Sequence, residues 1–199
     1  FVFDTGGSHV VFSRDKGALE DILGILGNRW VRHRRRSFIH FDGALVPYPF
    51  ENGLYVLPPE KRAELGAGFI EALLSRIKNP EWRPRNLREW IYDVFGREIA
   101  RTYLEPYNEK VWKRPLERIA VDWVYTPGRL PVPDWRDLIR SIAGVPTVGY
   151  REQAVFYYPK EGGIQSLYNA LLSSVINSGV KLMTGEKVTK VKRLGDKFI

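Results

Sequence analysis

The stretch that decides the fold class lies near the end of the chain and opens with five apolar residues, Ala154-Val-Phe-Tyr-Tyr158. After Gly162-Gly163, apolar residues recur with helical spacing from Ile164 to Val175, and Gly179 is placed to end that helix. Two strands are predicted beyond it, Val180–Met183 and Lys187–Val191. The predicted order is strand, helix, strand.

Before this stretch, the composition and the spacing of apolar residues change twice along the chain. The first 12 residues are rich in β formers and are broken by Gly6-Gly7, a pair that indicates close backbone approach. A hairpin is predicted at Asp42-Gly43, and from Pro58 onward the apolar spacing is helical. Helices are predicted over four further segments: 19–26, 86–95, 97–104 before Pro106, and 135–143.

These changes predict an α/β chain, α+β within the residues given, in which a helical middle is inserted into a domain built from both ends. We place segments 1–14 and 151–199 in that discontinuous domain and 15–150 in the insertion. The two ends are expected to pair in one sheet.

Composition and charge exclude several classes. The chain has 199 residues, no cysteine and a formal charge of +8, from 31 basic and 23 acidic residues. Disulfides and thiolate sites are therefore excluded, a reducing, cytoplasmic location is favoured, and attraction to phosphates is expected. No apolar run approaches the roughly 20 residues of a membrane span. The three histidines have no metal-ligand spacing.

Three local patterns are candidate sites. Gly66-Ala67-Gly68 lacks the preceding strand and third glycine of a dinucleotide motif, so it predicts helix packing. The arginines from Arg29 to Arg36 indicate either a nucleic-acid surface or a solvated strand edge, and the strand edge is favoured. Aromatic residues and cations between Arg101 and Tyr125 suit a planar or sugar ligand carrying phosphates.

Several motifs form an ordered series: Phe3-Asp-Thr-Gly-Gly-Ser-His9, Tyr48-Pro-Phe50, Pro106-Tyr-Asn-Glu-Lys-Val-Trp112, Asp122-Trp123 and Tyr158-Pro-Lys-Glu-Gly-Gly163. The series resembles the FAD-dependent amine oxidase superfamily, in its protoporphyrinogen oxidase-like and UDP-galactopyranose mutase-like branch. The resemblance covers nearly the whole chain. It implies a Rossmann-like FAD-binding domain interrupted by a mainly helical substrate-binding domain.

The resemblance also implies which residues meet each ligand. Gly6, Gly7 and His9 would lie against the flavin ring, and Val188 would offer its backbone to the adenine. The substrate, a small molecule and in one version a nucleotide-sugar, would meet Tyr107, Lys110 and Trp112, and in that version Trp123 would face the same cleft. By their chemistry rather than by the resemblance, Arg114, Arg129 and Arg151 are candidates for anion recognition, since guanidinium matches phosphate or carboxylate geometry. No catalytic protein residue is assigned.

The implied function is that of a flavin-dependent oxidoreductase. The alternative is a mutase-like sugar isomerase, and a further alternative is a non-catalytic basic module that binds nucleic acid. The superfamily's G-x-G-x-x-G fingerprint would lie upstream of this opening, so the residues are interpreted as the middle of a longer enzyme. Such a fragment is expected to bind FAD poorly or not at all and to be inactive alone.

Overall fold

The computed structural model describes residues 9–125, 134–148 and 154–198. The α-helices are α1 (Lys16–Leu26), α2 (Pro59–Lys78), α3 (Leu87–Phe95), α4 (Arg97–Ile99), α5 (Glu105–Trp112), α6 (Trp135–Ile142) and α7 (Gln165–Asn177). The strands are β1 (Trp30–Arg34), β2 (Phe38–Phe41), β3 (Ala44–Pro47), β4 (Val155–Pro159), β5 (Arg193–Leu194) and β6 (Lys197–Phe198). A π-helical turn, Ala100–Leu104, joins α4 to α5, and the described residues also form four short 3-10 turns.

The chain divides into two compact units. The terminal unit comprises Phe1–His33 and Phe156–Ile199, and the central unit is Arg34–Val155. The first boundary falls after α1, so it differs from the sequence-based boundary near residue 15. The assignment of the ends to an FAD-binding domain and of the middle to substrate binding stays a prediction.

In the terminal unit, the two ends of the chain are hydrogen-bonded to each other. Val11 forms an antiparallel bridge with Tyr157. The distance is 3.0 Å from Val11 N to Tyr157 O and 2.8 Å from Tyr157 N to Val11 O. The edge of the Trp30 ring contacts Tyr157, with centroids 5.1 Å apart. Helix α1, capped by the Asp15 carboxylate on the Ala18 N–H, packs against α7. Residues 1–8 lie outside the described residues. Within the described chain, the Val11–Tyr157 bridge is the evidence for the expected pairing of the two ends.

In the central unit, the local signals for the hairpin and for α3 match the elements. The Asp42-Gly43 turn, with φ of 46° and 75°, joins β2 to β3 in the register Phe41 to Ala44. Asn86 caps α3 through the Glu89 N–H, and Gly96 ends it. The predicted hairpin, α2, α3 and α6 are therefore confirmed.

The hydrophobic core belongs to the central unit. Its buried residues come from several elements of that unit and include Phe50, Leu65, Leu87, Ile99 and Leu138. The small residues of α2 let other elements approach closely, because a Cβ on Gly66 would lie 2.7 Å from Ile142. The helix-packing interpretation of Gly66-Ala67-Gly68 is confirmed.

Two predictions about elements are wrong. Residues 180–183 and 187–191 are irregular rather than strands, and their large side chains are exposed. They have strand composition, but a strand also needs a pairing partner, and none lies beside them among the described residues. Pro106 does not stop the helix before it. The π turn shifts the pairing so that Glu105 N–H donates to Ala100 O, and Pro106 falls in the first turn of α5, where its missing N–H costs little.

None of the helices formed by the described residues combines the length and the apolar character needed to cross a bilayer.

Candidate functional site

An aromatic cavity of about 40 Å³ lies in the central unit, where the Phe50–Asn52 turn meets the π turn and α5. Three rings stack along it: Phe50 on Tyr103 at 4.5 Å and 16°, and Tyr103 on Tyr107 at 5.2 Å and 17°. Its full lining is Tyr48, Pro49, Phe50, Glu51, Trp90, Phe95, Tyr103, Leu104, Tyr107 and Asn108. The Tyr48–Pro49 peptide bond is cis.

The junction of π turn and helix sets the ring ladder. Tyr103 lies in the π turn and Tyr107 one turn later in α5, so the two side chains fall on the same side of the helical path. Phe50 is fully buried, whereas Tyr107 is 44% exposed. The ladder therefore runs from the core to the surface, and Tyr107 offers a ring face at the mouth of the cavity.

Glu51 is the one acidic residue that lines the cavity. It is 1% exposed, and its Oε1 has no hydrogen-bond partner among the described residues. Burial raises the pKa of Glu51 to about 8, against the lowering effect of a backbone hydrogen bond. At neutral pH the carboxyl is therefore mostly protonated, and it can donate one hydrogen bond and accept another.

Two further polar groups border the same space. Burial raises the pKa of Tyr103, and the neighbouring Tyr107, Tyr48 and Glu51 add to this, so its phenol stays protonated. Asn108 is 6% exposed, and its Nδ2 donates to Leu104 O at 2.7 Å. The cavity thus combines stacked rings with neutral hydrogen-bonding groups, which suits a planar, uncharged heterocycle at its mouth.

A charged network holds α5 against α3. The Arg88 Nε and the Tyr92 hydroxyl each donate to Glu105, both at 2.5 Å. Burial alone would raise the pKa of Glu105, but hydrogen bonds from Tyr92 and Arg88 outweigh it and the pKa lies below its usual value. The carboxylate that fixes the start of α5 therefore stays ionised, which keeps Tyr107 in place.

The structure places the substrate residues predicted from the sequence in different surroundings. Tyr107 lines the cavity, while Trp112 and Trp123 contact each other with centroids 5.3 Å apart. The Trp123 indole nitrogen is buried and has no partner among the described residues. Lys110 and Arg114 are exposed and do not line the cavity. Arg129 and Arg151 lie outside the described residues.

The residues expected to contact FAD are only partly included in the described chain. Gly6 and Gly7 lie outside it, His9 is exposed, and Val188 is 77% exposed in an irregular segment. No strand offers the Val188 backbone to an adenine. Because two of these four residues lie outside the described chain, their contact with FAD stays a prediction. No cluster of possible metal ligands is found among the described residues.

Sequence reasoning missed the most unusual group of the cavity, Glu51. Tyr48-Pro-Phe50 belongs to the motif series, but no feature of the sequence marks the next residue as buried. The signal that could have found it is a single acid between Phe50 and Leu54 in a segment otherwise poor in charge. Tyr103 is one of several aromatic residues between Arg101 and Tyr125. The sequence does not single it out, because its stacking partner Phe50 is distant in sequence.

Comparison with known proteins gives matches among solved structures. No protein-family profile matches the chain. A solved structure of reduced UDP-galactopyranose mutase is similar, with a TM-score of 0.75 and 28% identity over 86% of this chain. The match covers 35% of that protein, so this chain spans about a third of its length. The similarity agrees, in outline, with the flavin-enzyme superfamily that the motifs resemble.

Proposed function

We propose that this chain contributes the substrate-binding part of a flavin-dependent enzyme, and that the substrate is a nucleotide-sugar, as in the mutase-like version. The single observation that carries the proposal is the aromatic cavity, found in a chain similar to a UDP-galactopyranose mutase. In such an enzyme the flavin supplies the redox chemistry. The described residues would bind and orient the substrate.

The cavity suits the base of a nucleotide better than its sugar. A pyrimidine ring is flat and uncharged at neutral pH, and it can stack on the exposed face of Tyr107. The enclosed volume of about 40 Å³ accepts the edge of a ring, while the rest of the ligand stays at the mouth.

The test uses the natural protein that carries this chain. We expect bound flavin, seen as its visible absorption bands, and binding of UDP measured by calorimetry. Tyr107→Ala should weaken UDP binding about fivefold to a hundredfold, since base stacking is worth about 1–3 kcal/mol. Tyr107→Phe keeps the ring and serves as the matched control. Absence of both flavin and UDP binding would contradict the proposal.

A second candidate, an oxidase of an apolar or amine substrate, is favoured by one observation. The cavity lining is mainly apolar, and Lys110 and Arg114 lie in solvent rather than beside it. The affinity of the protein for UDP distinguishes the oxidase from the mutase-like version. Flavin in the natural protein without measurable UDP affinity would support the oxidase. UDP affinity lowered by Lys110→Ala and Arg129→Ala would support the mutase-like version and the predicted roles of those two residues.

A further inference from the structure

A second cavity of the central unit, about 190 Å³, is lined by arginines. We call it the arginine cleft and define it by Arg34, Arg35, Arg36, Ser37, Tyr48 and Thr147. Three consecutive arginines line it, and none of its lining residues is acidic. Among the described residues, Arg34 and Arg36 have no ion-pair partner, so their positive charge is not compensated locally.

The backbone around the arginines is held on both sides. The Arg35 N–H donates to Ala154 O at 2.9 Å, and the Tyr48 N–H donates to Ser37 O at 3.0 Å. Opposite them, the Thr147 hydroxyl donates to Asn52 O at 2.7 Å, which ties that wall to the turn carrying Glu51. The cleft is therefore a built concavity with a positive wall, rather than a set of unrelated surface arginines.

Tyr48 lines both the arginine cleft and the aromatic cavity. The two spaces are thus neighbours that share one residue. The aromatic cavity is mainly apolar and neutral, whereas the arginine cleft is cationic. A nucleotide has the same division, with a flat uncharged base at one end and phosphates at the other. Arginine is well suited to the second half, because its planar donors match phosphate oxygens.

We propose that the arginine cleft binds the phosphate groups of the nucleotide whose base lies against the aromatic cavity. The inference rests on the proposed function and deepens it. It assigns phosphate recognition to Arg34 and Arg36, whereas the sequence predicts anion recognition by Arg114, Arg129 and Arg151. It also gives a role to an arginine cluster that the sequence alone favoured as a solvated strand edge.

The experiment titrates the natural protein with uridine and with UDP by calorimetry. The parent should bind UDP more tightly than uridine. The Arg34→Ala, Arg36→Ala double variant should lose about tenfold of UDP affinity per arginine, because each removes a charge-assisted contact, and should bind uridine as before. Arg36→Lys, which keeps the charge but not the planar fork, should lose less. Arg118→Ala, an exposed arginine that lines neither cavity, is the matched control.

Three outcomes would overturn the inference, and they are distinguishable. Parent-like UDP affinity in the double variant would remove the phosphate role and leave the proposed function standing. Loss of flavin from the double variant with unchanged UDP affinity would assign the arginines to the phosphates of the cofactor. A parent that binds neither uridine nor UDP would contradict the proposed nucleotide-sugar substrate itself, and the inference with it.

Discussion

Burial determines the chemistry of Glu51. The unfolded chain would ionise this carboxyl at its usual pKa of 4.5, whereas the folded chain holds the proton until about pH 8. Between those values the native state binds more protons than the unfolded state, so stability falls as pH rises from 4.5 to 8. A group that costs stability in this way and lines a cavity is better explained by ligand recognition than by folding.

Glu51→Gln is expected to remove this pH dependence, because the amide is always neutral and nearly the same shape. At pH 7 the variant should gain up to about 3 kcal/mol of unfolding free energy over the parent. The measurement is urea unfolding of the natural protein at pH 5 and at pH 7.5. An identical loss of stability between the two pH values in parent and variant would show that Glu51 is ionised when folded.

At the scale of elements, the crossing of α2 and α3 depends on two glycines. Gly96 has φ of 82°, and a Cβ there would lie 2.5 Å from the carbonyl carbon of Gly68 and 2.8 Å from Phe69 N. Neither backbone atom can move without shifting α2. The end of α3 is therefore held against α2 by direct backbone approach.

Gly96→Ala should destabilise the central unit by about 3 kcal/mol, since it combines a strained positive φ with a backbone clash. Gly24→Ala is the matched control, because nothing lies within 4 Å of its Cβ and alanine favours a helix by up to about 1 kcal/mol. Hydrogen exchange of the α2 and α3 amides should be roughly a hundredfold faster in the first variant alone. Unchanged exchange would contradict the close approach.

Local signals predicted those elements whose formation depends on nearby residues. The Asp42-Gly43 turn and the Asn86 cap each act within four residues, so the hairpin and α3 follow from sequence. Strands at 180–183 and 187–191 depended on distant partners, and that prediction was wrong. The aromatic cavity joins Phe50 to Tyr103 across 53 positions (103 − 50 = 53), a contact that no local pattern specifies.

The two units differ in how much apolar surface they bury. Among the residues that the structure describes, Leu26 is the one fully buried hydrophobic side chain of the terminal unit, and α7 has no buried residue. Large side chains such as Leu171 and Ile176 remain 44% and 50% exposed on α7. Because burial is the main favourable term in folding, the stability of this chain is concentrated in the central unit.

This difference predicts uneven hydrogen exchange in the 199-residue chain itself. Amides of α2, α3 and the turn at Leu54–Val56 should be protected, since these elements pack around Leu65, Leu87 and Leu54. Amides of α7 and of residues 180–198 should exchange at close to unstructured rates, because local opening there exposes little additional apolar surface. Mass spectrometry of exchanged peptides measures both regions in one sample.

The internal comparison is the control, since both regions share one chain, one temperature and one pH. Raising the salt concentration tests the role of charge separately. If repulsion within the chain of net charge +8 were what loosens the terminal unit, salt would screen it and slow the exchange of α7. We expect salt to change it little, because the deficit lies in apolar burial. Equal protection of α7 and α3 would show that the terminal unit has a stabilising contact that its exposed side chains do not reveal.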